Sequence, residues 1–181
     1  MSKARLGKGD WIQAGMRALA MSGIGAVRAE ALARTLQTTK GSFYWHFKDI
    51  KDFRQQILDG WQNSQADEII RRIADHEPGI DRLRALVGLA SEVRPTDLSV
   101  KAELAIREWA RHDPEAAKRV AEVDTKRLDY LSEQFQVLGF SDRRFALDLY
   151  TNYLGFRMLS STMDLDVAGH LEFVLSRLLD R

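Results

Sequence analysis

VRAEALARTLQTTKGSFYWHFKDIKDF, residues 27–53, decides how the rest of the chain is read. Val27, Ala31, Leu32, Ala33 and Leu36 recur at helical spacing and mark the packing face of a first short helix. Gln37-Thr38 is a polar break. Thr39 can then cap a second helix by accepting a hydrogen bond from a free N–H in its first turn. Phe43 and Phe47, four residues apart, supply that helix's buried stripe. Two short helices joined by a tight turn make a helix-turn-helix, whose second helix fits the major groove of duplex DNA.

At 3.6 residues per turn, Phe43 and Phe47 lie within about 40° of each other and face the core. Gly41, Ser42 and Trp45 fall on the opposite side, flanked by Lys40 and Tyr44. Lys40 can donate to guanine O6/N7 or to a phosphate, and Thr39 and Ser42 can do either. Gly41 has no Cβ, so base edges or a thymine methyl can come close. Trp45 offers an indole N–H to a phosphate and a flat face to a sugar. Tyr44 and Trp45 could instead be packing residues. Two adjacent aromatics cannot, however, both join a core already served by Phe43 and Phe47. Arg28, in the first turn of the first short helix, meets phosphate more readily than base, and Thr38 joins the contact set from the turn.

Lys40-Gly41-Ser42-Phe43-Tyr44-Trp45-His46-Phe47, preceded by Leu32-Ala33 at the right spacing, resembles the DNA-binding signature of the TetR family of bacterial transcriptional regulators. Residues 102–111, AELAIREWAR, resemble a segment seen in one branch of that family. The resemblance implies an all-α fold of about nine helices. A three-helix helix-turn-helix head over residues 1–50 would precede a larger helical ligand-binding and dimerisation body over 51–181. It also implies that Tyr44 and His46 meet the sugar–phosphate backbone. Three positions depart from the family pattern. Gln37 stands where Gly is usual, so the turn is either strained or not left-handed. Thr38 replaces a usual Val. Ile50 stands where Lys or Arg commonly anchors a phosphate, a contact that Lys48 or Lys51 can replace.

Charge is distributed as such a protein requires. The whole chain of 181 residues carries a formal net charge of only +1. Residues 1–54 hold ten Lys/Arg against four acids, and the remainder holds 17 against 22. A basic end on an acidic body is the electrostatic footprint of a nucleic-acid binder. The 45% hydrophobic and 29% charged content is that of an ordinary globular protein. No apolar run approaches the ~20 residues needed to span a membrane, and the N-terminus lacks the apolar stretch of a signal peptide, so residence is expected in the cytoplasm. Cys is absent, which excludes disulfides and thiolate metal sites. No metal and no cofactor are expected.

Helical periodicity runs throughout. A first helix is expected from about Gly9 to Met21, ended by Ser22-Gly23. A fourth begins near Ile50 and can run unbroken to about Ala74, long enough to serve as a strut, with Pro78-Gly79 closing it. Others follow at roughly 80–93, 99–112, 114–138, 141–162 and 166–180. Pro95 sets a loop, and Asp113-Pro114 reads as an N-cap with Pro at the first helical position. The last two helices carry more apolar surface than one face needs, which suits an isologous interface between two copies. A ligand pocket is expected from Trp61, Leu86, Leu89, Trp109, Tyr130 and Phe156, with Arg107, Asn152 or Tyr153 as a polar group.

The expected function is a dimeric repressor of a palindromic operator in double-stranded DNA, released by a small-molecule inducer. A helical enzyme is the alternative. His46, His76, His112 and His170 are scattered, and no HExxH motif or Gly-rich phosphate loop occurs. Glu103/Glu108 and Asp124/Asp129, each five apart, share a helical face poorly, and no catalytic residue is assigned. Serine chemistry would need a His and an acid brought together by folding, and stays open on sequence grounds alone. A ligand- or partner-binding protein without DNA binding is the third reading, and the basic head argues against it.

Overall fold

A computed structural model describes residues 6–65, 67–92, 94 and 96–180. Its described elements are helical: α1 (Lys8–Ser22), a 3₁₀ turn (Ile24–Ala26), α2 (Ala29–Thr35), α3 (Lys40–His46), α4 (Ile50–Gln65), α5 (Asp67–Arg72), α6 (Ile80–Glu92), α7 (Leu98–Ala110), α8 (Pro114–Val137), α9 (Arg144–Leu159) and α10 (Val167–Leu179). The junction between α4 and α5 falls at residue 66, so the expected continuity to Ala74 lies outside the described residues, as does Pro95. Asp113 caps α8 as its sequence implies, its carboxylate accepting from the amides of Glu115 and Ala116 at 3.0 Å each. α9 starts later than Ser141, because the Asp142 carboxylate takes the Arg144 amide at 2.9 Å and holds a turn there. It also ends at Leu159 rather than 162, where Ser161 and Thr162 bond back to the carbonyls of Met158 and Leu159.

The chain divides into two compact units, Met1–Gln62 with Lys101–Val120, and Asn63–Val100 with Ala121–Arg181. The boundary expected after residue 50 falls inside the first unit. Trp11, Phe43, Phe47 and Phe53 form that unit's aromatic centre, all at most 2% exposed. Phe43 meets Trp11 at 5.3 Å and Phe53 at 5.2 Å, both edge to face, and Phe47 meets Phe53 at 4.6 Å. Such geometry suits the aromatic quadrupole. α1 approaches α4 so closely that a Cβ on Gly15 would stand 2.5 Å from Phe53 Cζ. At the far end of α4, Arg119 of α8 binds Asp59 at 3.0 Å and Gln62 at 3.0 Å.

The second unit packs α6, α8, α9 and α10 around Leu83, Phe135, Ala146, Leu149, Leu171 and Leu175. Gly79 adopts φ 92° before α6, a left-handed conformation that favours glycine. Its amide is satisfied by the buried Gln134 side chain at 3.0 Å. That bond ties the segment before α6 to α8, and it spares a buried N–H the cost of standing unpaired.

Candidate nucleic-acid interface and ligand cavity

Hydrophobic spacing fixes which side of α3 is free. Phe43 is fully buried, whereas Tyr44 is 51% and Trp45 86% exposed. Burying an aromatic side chain is worth roughly 1.5–3 kcal/mol, so an almost bare Trp on an otherwise well-packed head has found no intramolecular use. Thr39 caps α3, its hydroxyl accepting from the Ser42 amide at 3.3 Å. The turn before it is left-handed at Gln37, with φ 51°. Of the two geometries open at this position, the strained one is present.

The basic candidates surround that exposed face. Lys40 is ion-paired with Glu30 of α2, and both side chains are about half exposed. The pairing pushes the Lys40 pKa up and the Glu30 pKa down. Lys40 Nζ also lies 5.9 Å from the centre of the Tyr44 ring. Arg28 stands exposed at the N-cap of α2. Thr38, Ser42 and His46 are half-buried, with the His46 ring 6.2 Å from Phe47. A Cβ at Gly41 would meet only Thr39 Oγ1, at 3.6 Å, so packing within the head does not demand glycine there.

Lys48 and Lys51 are exposed at the start of α4. Asp49 accepts from the Asp52 amide at 2.8 Å, and Asp52 accepts from the Lys48 amide at 2.9 Å. This reciprocal cap fixes the chain leaving α3. Hydrogen bonds from the Gln56 side chain and then the Lys48 amide hold the Asp52 carboxyl below its usual range.

The second unit holds a half-open cavity of about 170 Å³. Leu86, Leu89, Tyr130 and Tyr153 line it, as does a set the sequence reading passed over: Arg127, Tyr150 and Arg157 above all. Burial drives the Tyr150 pKa up to about 12. The Tyr150 hydroxyl donates to Asp124 at 2.7 Å and accepts from Arg127 at 3.2 Å. Arg157, 5% exposed, donates to the Ala90 carbonyl at 2.7 Å. Their spacing carried a signal: 150, 153 and 157 share one face of α9, and an Arg on that face is conspicuous.

Other pocket candidates lie elsewhere. Trp61, Arg107 and Trp109 belong to the first unit, where Arg107 pairs with Glu103 at 2.9 Å. Asn152 donates to the Asp148 carbonyl at 2.8 Å, and Phe156 stacks on His170 at 3.7 Å. Neither is part of the cavity lining.

Residues 12–57 match the model of bacterial regulatory proteins of the tetR family. No curated protein matches the chain. Among solved structures, a candidate TetR-family transcriptional regulator from Rhodococcus sp. superposes with a TM-score of 0.78 at 16% identity, over 95% of this chain and 98% of that one. The fatty acid degradation regulator FadR from Bacillus halodurans gives 0.73 at 15%, over 99% and 96%. A candidate transcriptional regulator from Saccharomonospora viridis, in complex with choline, gives 0.74 at 17%, over 96% and 95%. At such identities the likenesses establish the fold. The family match is thus confined to residues 12–57, the helix-turn-helix head, which is similar to that of the tetR family of bacterial regulatory proteins.

Proposed function

We propose that the chain is a homodimeric repressor whose paired α3 helices read a palindromic operator, and that a small molecule in the second unit's cavity releases it. The observation that carries the DNA-binding part is the exposure of Tyr44 and Trp45 on a short helix whose other face is buried. Lys40, Thr39, Ser42 and Gly41 would approach bases. Arg28, Thr38, Tyr44, Trp45, His46, Lys48 and Lys51 would hold phosphate and sugar. Two-fold symmetry then places half-sites about one helical turn apart, ~34 Å, or at a related spacing.

Dimerisation is supported by exposed apolar side chains on and beside the last two helices. Leu147, Met158, Leu159, Met163 and Phe173 are each between 45% and 68% exposed. A surface of that kind on a soluble regulator is best used against a second copy. Small-molecule control is supported by the cavity, and by relatives of the same fold that are a choline complex and a fatty acid degradation regulator. Release requires the ligand to prefer the conformation that does not fit the operator, by ~1–3 kcal/mol in typical cases. Such a regulator would act in the cytoplasm. Among the described residues no helix is long and apolar enough to cross a membrane.

The test is fluorescence anisotropy on palindromic duplexes drawn from DNA flanking the coding region, beside sedimentation of the free protein. A salt-dependent complex of two chains per duplex is expected. Failure to hold any duplex at low salt defeats the reading.

A further inference from the structure

We propose that Arg54 is a positioning residue for DNA reading: its bond to the Val27 carbonyl fixes the entry of α2 against α4, and so aims α3 without touching DNA itself. The proposal rests on the reading of the head as the operator-binding part, and gives that part a residue outside the DNA-facing set.

The Val27 carbonyl comes first. Val27 is wholly buried where the chain enters α2. Its own amide donates to the Ile24 carbonyl, and the Arg28 amide donates to Ala26. Among the described residues no backbone amide reaches the Val27 carbonyl. Arg54 Nη2 does, at 3.1 Å, from 27 positions further along the chain. A buried carbonyl left without a donor is costly, and a guanidinium supplies a charge-assisted one.

α4 thereby grips both helices of the helix-turn-helix. Phe53 meets Phe43 at 5.2 Å and Phe47 at 4.6 Å, which holds α3 through an apolar contact. The next residue, Arg54, holds the start of α2 through a polar one. Adjacent positions on one helix therefore set where α2 and α3 stand on a common support.

The opposite role for an arginine in a basic head is to meet a phosphate. Burial argues against it. Arg28, Lys48 and Lys51 are exposed, whereas Arg54 is half-buried, and its Nε is shut off from solvent with no hydrogen-bond partner among the described residues. Its charge is also felt inside the same unit. At the N-cap of α8 the Asp113 carboxyl is held below its usual range, chiefly by the Ala116 amide and in small part by Arg54. The guanidinium is engaged within the protein.

The effect on DNA binding follows from populations. A bond from a charged donor shifts the balance between held and displaced arrangements by about tenfold or more. Apparent affinity falls with the fraction of molecules that are competent to bind. The number of phosphates neutralised in the complex, which sets the salt slope, stays the same.

Anisotropy titrations of the full-length protein over a salt series test this, with the flanking palindromic duplex that the wild type holds most tightly. Arg54→Met should bind about tenfold more weakly at every salt concentration, with the slope of the wild type, at temperatures where melts show it fully folded. Arg54→Lys, which keeps a charged donor, should recover most of the loss. Arg54→Gln, a shorter neutral donor, carries the same slope test if the methionine variant does not fold. Unchanged affinity in the folded variant overturns the proposal. So does a slope lowered by about one, because Arg54 would then be a phosphate contact. Hydrogen exchange in the free protein gives a readout that needs no DNA. Amides of residues 29–36 should exchange at least about tenfold faster in Arg54→Met while those of α9 keep their rates, and unchanged exchange in α2 overturns the proposal. A wild type that holds no duplex defeats the operator reading and, with it, a role for Arg54 in aiming α3 at DNA. A wild type that binds DNA, beside a variant that binds equally well, defeats the proposal alone.

Discussion

Lys40 of α3 is ion-paired with Glu30 of α2, so the cation best placed to reach a base is tied to the preceding helix. Both groups are solvated, and an exposed pair of this kind adds little to folding. On the proposed reading its effect belongs to binding, because the Glu30 carboxylate would compete with phosphate for Lys40. Glu30→Gln is therefore expected to leave the melting temperature unchanged and to tighten operator binding a few-fold. Lys40→Ala should weaken binding and lower the salt slope by about one. If Lys40→Ala also relaxes sequence preference, the side chain reads a base. If preference is kept, its partner is phosphate. Anisotropy titrations over a salt series measure both. Weaker binding by Glu30→Gln would mean that the pair positions Lys40 rather than restraining it.

Gly41 separates a folding requirement from a binding requirement. A methyl group there meets only Thr39 Oγ1, at an ordinary 3.6 Å, and alanine is the better helix former by up to about 1 kcal/mol. Gly41→Ala should melt at the same temperature or higher, yet bind the operator about tenfold more weakly as the methyl meets base edges. Gly15→Ala is the internal control. There the added carbon would stand 2.5 Å from Phe53 and 2.7 Å from Ile57, and stability should fall by roughly 1–3 kcal/mol. Thermal melts and DNA titrations of the two variants should show opposite patterns.

The head was legible in the sequence because its signals are local. Thr39 before Lys40, and Phe43 four before Phe47, specify a cap and a buried stripe within nine residues. The same holds for Asp113-Pro114. What sequence could not decide was the sign of φ at Gln37, since two turn geometries fit the residue. The limits of the compact units were also out of reach. Residue 50 closes the local motif, but Phe53, Ile57 and Trp61 are buried in the same unit, which recruits residues 101–120 as well. That grouping depends on contacts between distant segments. For the same reason aromatic residues such as Trp61 and Trp109 read as pocket walls, while Arg157 is passed over. Only the packing of α6 and α8 against α9 reveals that this guanidinium is enclosed.

Gln37 provides a measure of the strain in the turn. Its φ of 51° is the left-handed conformation, which costs an L-residue with a Cβ roughly 1–2 kcal/mol. Glycine avoids that cost but loses more freedom on folding, so the two effects partly offset. Gln37→Gly should still gain about 0.5–1 kcal/mol, and Gln37→Asn somewhat less. Denaturant titration reads the difference. A loss of stability in Gln37→Gly would show that interactions of the glutamine side chain outweigh the backbone strain.

Tyr150 predicts the alkaline limit of the second unit. Burial first, then the Asp124 carboxylate, favours the neutral hydroxyl against the opposing Arg127 charge, and the pKa moves from 10.0 to about 12. The folded state thus holds this proton more tightly than the unfolded chain. The resulting stability is fully present below pH 10 and is lost as pH rises through about 12, because only the unfolded state gains from ionisation in that window. A shift of that size corresponds to on the order of 2 kcal/mol. Tyr150→Phe should flatten this part of the stability–pH curve, and it should cost stability at neutral pH by leaving Asp124 and Arg127 without the bridging hydroxyl. Denaturant titrations between pH 7 and 12, followed beside tyrosinate absorbance, provide the check. An unchanged alkaline slope in Tyr150→Phe would place the titrating group elsewhere.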